Sequence, residues 1–126
     1  IMNSTKALLL SEGLGTRLKP LTDFVPKCLV EVNQIPMLEH WLNKVEKLGI
    51  KEVLINTHYL ADQVIEYIEK RRKTNLLIKV VYENNLLGTA GTLIENKEFF
   101  FDSDILFVHV DNFTNSNLQG LFRSYR

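Results

Sequence analysis

No stretch of this sequence stays apolar for anything near the roughly 18 residues that cross a bilayer, which argues against a spanning helix. The run Lys6-Ala7-Leu8-Leu9-Leu10 is also too short for a secretory core with a cleavage site, so a cytoplasmic location is expected. A single cysteine, Cys28, excludes an internal disulfide and suits a reducing compartment. Cys28 stands beside Lys27, but no nucleophile-base pair surrounds it, and it reads as a packing residue. Neither sign of charge is in excess: fifteen basic and fifteen acidic residues cancel, so overall charge points to no nucleic acid and no membrane surface as partner. Two familiar phosphate loops are missing as well. The Gly-x-x-x-x-Gly-Lys-Ser/Thr pattern does not occur, and a dinucleotide loop would require a third glycine where Leu18 stands.

What is present is an ordinary globular composition, 45% hydrophobic and 24% charged over 126 residues, enough for one domain with one core. Its focus is the stretch Leu8 to Thr22, closed by Pro26-Lys27. An apolar run, Ala7 to Leu10, reads as a buried strand that stops at a loop with Gly13 and Gly15. Glycines there let successive N–H groups converge on an anion, and Arg17 and Lys27 supply positive charge. The loop is a place to hold phosphate. A plain turn would explain a bare glycine pair equally well.

Further along, Cys28 to Val32 reads as a short strand and Asn33 to Pro36 as a turn into a helix carrying Met37, Leu38, Trp41, Leu42, Val45 and Leu48, with Gly49 as its stop. Glu52 to Asn56 gives the next strand, and Ala61, Val64, Ile65 and Ile68 a second helix. That helix ends in Lys70-Arg71-Arg72-Lys73, where positive charge complements the macrodipole. Leu76 to Tyr82 is a strand, a helix is expected to begin near Thr89, and Asp104 to Val110 is a further strand. A last amphipathic segment, Leu118 to Tyr125, is read as a helix. Alternating strands and helices with short connections predict an α/β fold: a mostly parallel sheet with helices on both faces. Right-handed crossovers place the loops after Leu10, Asn56, Tyr82 and Val110 on one edge, the expected ligand crevice.

The run Gly13-x-Gly15-Thr16-Arg17-Leu18-x-Pro20-Leu21-Thr22, then Pro26-Lys27 and Pro36, resembles the signature of the sugar-1-phosphate nucleotidylyltransferases. Ile55 to Tyr59, Tyr82-Glu83, Leu87 to Thr92 and His109 to Asn112 continue the resemblance in the family's order. The Leu-Gly-Thr-Ala-Gly form is most similar to the mannose-1-phosphate guanylyltransferase-related and glucose-1-phosphate branches. The resemblance implies a three-layer Rossmann-like nucleotidyltransferase fold whose partners are a nucleoside triphosphate and a sugar-1-phosphate, with Mg²⁺ as cofactor. It implies Arg17 and Lys27 as catalytic cations, on the triphosphate and on the α-phosphate with the incoming sugar phosphate. Ser11, Gly13, Gly15, Thr16, Glu83, Gly88 and Thr89 would bind the nucleotide, the last three at its base, and Asp111 would ligate the metal. His58 and His109 lack zinc-ligand spacing and read as hydrogen-bonded structural histidines.

Three features depart from the family pattern. Ser11-Glu12 replace small residues before Gly13, so Glu12 must turn away from the triphosphate or pair with Arg17 or Lys19. His-Val-Asp-Asn replaces Asn-Gly-Asp around Asp111. The chain stops where a sugar-binding half is expected, so residues 1–126 read as the nucleotide-binding, N-terminal part, and exposed apolar surface predicts self-association as a homo-oligomer. Two rival readings follow: a non-catalytic nucleotide-binding or inactive module, and a phosphocholine-type cytidylyltransferase.

Overall fold

The computed structural model describes residues 5–11, 24–58, 60–71, 74–83, 88–110 and 120–123. Strand β1 (Thr5–Ser11) is the centre of a five-stranded sheet. Its neighbours are β4 (Glu52–Thr57) on one side and β6 (Asp104–His109) on the other, with β5 (Leu77–Tyr82) and β7 (Gly120–Arg123) at the edges, giving the order β5-β4-β1-β6-β7. The first four are parallel, as the alternating pattern predicts, and β7 is antiparallel to β6. The terminal segment read as a helix therefore contains a strand. Spacing alone does not separate the two in so short an apolar run, and the open side of β6 offers Gly120–Arg123 a ladder of hydrogen bonds.

The central strand is uniformly apolar because both its faces are covered. Helices α1 (Met37–Lys47) and α2 (Ala61–Lys70) pack on one face, where Trp41, Leu42 and Val45 meet Ala7, Leu9, Val53 and Ile55 in the larger core. On the other face lie α3 (Gly88–Glu95) and α4 (Lys97–Phe100), whose Leu93, Phe99 and Phe100 cover Leu8, Leu10 and Leu54. This is the predicted three-layer arrangement. Trp41 is wholly buried in the core, in keeping with the helical spacing of its neighbours. Gly49 ends the α1 segment at φ +85°, a left-handed conformation that glycine adopts without steric cost.

One element differs from its predicted form. Cys28 to Val32 is not a continuous strand: Lys27–Leu29 form a 3₁₀ turn, with Leu29 N–H donating to Pro26 O at 2.9 Å and Val30 N–H to Lys27 O at 3.1 Å. Only β2 (Glu31–Val32) remains extended, paired antiparallel with β3 (Ile35–Pro36). The turn between them holds Asn33 and Gln34 at φ 54° and 68°, the double positive φ of a tight hairpin. Pro26, at φ −61°, is set for the 3₁₀ turn, which drives Cys28 inward.

Candidate active site

Parallel register brings the carboxyl ends of four strands to one edge. Ser11 lies opposite Thr57, and Thr57 opposite Tyr82; beyond the ladder, Glu83 N–H donates to Thr57 O at 2.9 Å and Val110 N–H to Leu10 O at 3.1 Å. This is the convergence expected of an open α/β sheet, and it is where such sheets hold ligands.

The edge is tied together by a buried polar cluster. Ser11 N–H, at the mouth of the glycine loop, donates to Asn56 Oδ1 at 2.8 Å. A backbone N–H only donates, so Asn56 must turn its amide nitrogen the other way, where Nδ2 reaches Glu83 Oε1 and Thr92 Oγ1, each at 3.4 Å. The Thr92 hydroxyl donates to Glu83 Oε2 at 2.8 Å. Asn56 and Thr92 are fully buried and Glu83 is 7% exposed. His58 Nδ1–H donates to the Glu83 carbonyl at 2.6 Å, which bears out the reading of His58 as a hydrogen-bonded structural residue and places its proton on Nδ1.

Lys27 is carried to the same edge by its neighbour. Cys28 is buried with the Ser11 side chain close enough to act on its thiol, which sets the 3₁₀ turn that begins at Lys27 near the exit of β1. Burial pushes the Cys28 thiol from its ordinary 9.0 up to about 11, with the Ser11 side chain and a backbone bond acting weakly the other way. A thiol so protonated is a poor nucleophile at neutral pH, in line with its reading as a packing residue. Thr57 Oγ1, on the α1/α2 face of the strand end, is buried with no hydrogen-bond partner among the described residues.

Of the nucleotide-binding residues drawn from the resemblance, Ser11 and Glu83 thus meet in one hydrogen-bonded cluster. Gly88 and Thr89 form the first positions of α3, where helix N–H groups have no intrahelical acceptor. Gly13, Gly15, Thr16, Arg17 and Asp111 lie outside the described residues, as does Glu12. Asp111 follows Val110 directly in sequence, and Val110 N–H donates to Leu10 O at the strand edge. One carboxylate suits Mg²⁺, which keeps several waters and takes other ligands from phosphates. Among the described residues no group of three potential metal ligands gathers.

Sequence reasoning gave no role to Asn56 or Thr92. Asn56 carried a signal: with Thr57 it is a polar pair ending the otherwise apolar strand β4. Thr92 closed the Leu87 to Thr92 run of the resemblance, but nothing there gave its hydroxyl a role, since a threonine in a helix is unremarkable until its hydroxyl has a buried target. Beside the cluster, His58 and Tyr82 stack at 6.2 Å between ring centres and, with Leu60 to Gln63 and Ile65, line an open cavity of about 420 Å³. No helix among the described residues is long and apolar enough to cross a membrane.

The geometry agrees with comparisons to known proteins. Residues 6–126 match the family model described as nucleotidyl transferase. The chain is 38% identical over 111 residues to mannose-1-phosphate guanyltransferase beta-B of Xenopus laevis, an alignment covering 80% of this chain and 31% of that one. Among solved structures it is similar to HddC of Yersinia pseudotuberculosis complexed with GMP-PN, at a TM-score of 0.72 and 27% identity over 84% of this chain and 47% of that one. It is likewise similar to the CTP:phosphocholine cytidylyltransferase of Streptococcus pneumoniae, at a TM-score of 0.69 and 32% identity over 90% and 48%. The chain spans about a third of the length of the curated guanyltransferases it matches. With the family model matching nearly from end to end, on a sheet whose parallel strands end at one edge, this chain belongs to the nucleotidyl transferase family.

Proposed function

We propose that this chain is the nucleotide-binding part of an enzyme that transfers a nucleoside monophosphate from an NTP to a sugar-1-phosphate, releasing pyrophosphate. The observation that carries the reading is the convergence at one sheet edge of Ser11, the Lys27 turn, Glu83 and the start of α3. A phosphate oxygen of the sugar phosphate attacks the α-phosphorus, the bond to the β-phosphate oxygen breaks, and pyrophosphate departs. The protein's part is placement and charge neutralisation. Gly13, Gly15 and Thr16 offer backbone donors to the phosphates and Ser11 stands at their entrance. Arg17 grips the departing pyrophosphate with its planar fork, and Lys27 meets the α-phosphate and the incoming phosphate. Gly88 and Thr89, at the start of α3, border the base. Asp111 would hold Mg²⁺, which supplies further neutralisation of phosphate charge when bound.

The guanyltransferase relatives and the GMP-PN complex favour a guanine nucleotide, and the same relatives favour mannose-1-phosphate. The likeness to the cytidylyltransferase supports a second reading, in which CTP and phosphocholine replace them. Calorimetric titration with GTP, dTTP, UTP, CTP and ATP, with and without Mg²⁺, on the wild type and Arg17→Ala tests both. Metal-dependent binding of GTP that is lost in the variant is the expected result. Preference for CTP selects the second reading, and binding of none overturns the nucleotide site.

A further inference from the structure

We propose that Asn56, Glu83 and Thr92 form a positioning cluster that fixes the mouth of the glycine loop relative to the first turn of α3, and that Glu83 is a brace within it and does not touch the nucleobase. The proposal rests on the nucleotide reading only for the identity of the ligand so placed.

Every polar group of Glu83 is engaged inside the protein. Its N–H donates to Thr57 O at 2.9 Å, its carbonyl accepts from His58 at 2.6 Å, one carboxylate oxygen accepts from Thr92 at 2.8 Å and the other from Asn56 at 3.4 Å. A carboxylate that is 7% exposed and bonded on both oxygens is poorly presented to an incoming base. Its donors, by contrast, come from two segments that the ligand must find in register. Thr92 stands one helical turn beyond Gly88, so holding its hydroxyl fixes the start of α3. Asn56 extends the hold to Ser11, where the chain leaves β1 for the glycine loop. Four segments are thereby linked through one buried asparagine and one buried acid, by bonds from backbone, amide and hydroxyl donors. Displacement of one segment against the other by an ångström would separate the phosphate donors from the base-facing turn.

Amide hydrogen exchange on the full chain without nucleotide tests the link. Thr92→Val keeps shape and removes the donor to Glu83 Oε2, whereas Thr92→Ser keeps it. Expected is at least tenfold faster exchange at Ser11 N–H together with Leu93 to Glu95 in the valine variant, near wild-type exchange in the serine variant, and unchanged exchange at Trp41 to Val45 in both. Acceleration in α3 with Ser11 unmoved overturns the proposal. Asn56→Ala reads the same link from the other end and serves should Thr92→Val fail to fold: α3 must loosen although the substitution is in β4, and an unmoved α3 overturns the proposal.

Glu83→Gln separates a brace from a base contact. The glutamine oxygen still accepts from Asn56 and its amide donates to Thr92 Oγ1, so affinities for GTP, dTTP, UTP, CTP and ATP are expected to shift by one common factor, with their order kept. A loss confined to one base means that Glu83 touches it and overturns its role as a brace. Absence of binding by the wild type would defeat the nucleotide reading alone, since the exchange data decide the link independently.

Discussion

Two glutamates, each largely buried, hold pairs of elements together in opposite ways. Glu39, in the first turn of α1, accepts from Arg71 at the end of α2 through two bonds, Nε to Oε1 at 3.0 Å and Nη2 to Oε2 at 2.7 Å, and Tyr67 adds a third at 2.7 Å. Its charge is met by a cation whose side chain is only 8% exposed. Glu83 is met by a hydroxyl and an amide, both neutral, at the edge where the strands end. The first is a clip between helices, worth its energy in stability. The second is held by neutral donors and gains a defined geometry among Ser11, Asn56 and Thr92. Stability and placement are thus divided between two clusters, so variants in the first should be read in unfolding and variants in the second in ligand geometry.

The largest effect is expected at the clip. Arg71→Met removes the cation and leaves the Glu39 carboxylate largely buried with the Tyr67 bond but without the paired guanidinium. Breaking a buried pair from one side costs about 3 kcal/mol, because the remaining charge stays desolvated. Urea unfolding should show that loss, and adding Glu39→Gln should recover part of it. Nucleotide affinity of the folded fraction should not move. A loss below about 1 kcal/mol would place this pair with surface bridges and erase half of the contrast.

Next in size is a pH effect at the Cys28 turn. The folded state raises this thiol from 9.0 to about 11, mainly by burial, so the native protein holds the proton that the unfolded chain has given up. Its contribution is therefore complete below pH 9 and is lost as the pH rises from 9 to 11, on the order of 2 kcal/mol. Tyr67 is raised as well, by burial first and then by its bond to Glu39, and adds loss of the same sign starting near its ordinary 10.0. Denaturant midpoints measured from pH 8 to 11 should fall for the wild type and fall less for Cys28→Ala. Equal slopes would mean that Tyr67 alone carries the effect.

Smaller in stability is Thr92→Val, expected to cost about 1 kcal/mol, the scale for one buried acceptor losing its donor. The contrast with Arg71→Met lies in where the remaining effect falls, since only the valine variant should also weaken nucleotide binding. A Thr92→Val protein with wild-type affinity and the full stability loss would make Glu83 a second clip.

The layers of this fold were legible because each strand is a short apolar run and each helix shows its own period, from Met37 to Val45 in α1 and from Ala61 to Ile68 in α2. What failed to show was decided by neighbours. Gly120–Arg123 is a strand only because β6 has an open side, and Lys27–Leu29 turn because Pro26 precedes them and Ser11 receives Cys28. At the site, Ser11, Lys27 and Glu83 were singled out through the family resemblance, and the structure places Ser11 and Glu83 in one hydrogen-bonded cluster. The pairing of Asn56 with Thr92 was not legible, because a hydrogen bond between β4 and α3, across 36 positions, leaves no periodic trace. Arg71 was read through its position at a helix end; its partner Glu39, 32 residues away, was invisible for the same reason.

The smallest effect bounds the comparison from outside. Glu66 and Lys70 form an i,i+4 pair along α2 at 3.5 Å, in the favourable order with the acid first, but both side chains are well exposed, at 65% and 76%. Water screens the attraction, and two long side chains lose freedom in making it, so Lys70→Ala should shift stability by only a few tenths of a kcal/mol, falling toward zero in 1 M salt. The Glu39–Arg71 clip, one residue further along at the same helix end, should keep most of its strength in that salt, because its charges are largely buried and bonded at two points. If unfolding midpoints show both pairs weakening equally with salt, burial is not what distinguishes the clip, and the extra strength must be assigned to the Tyr67 hydroxyl.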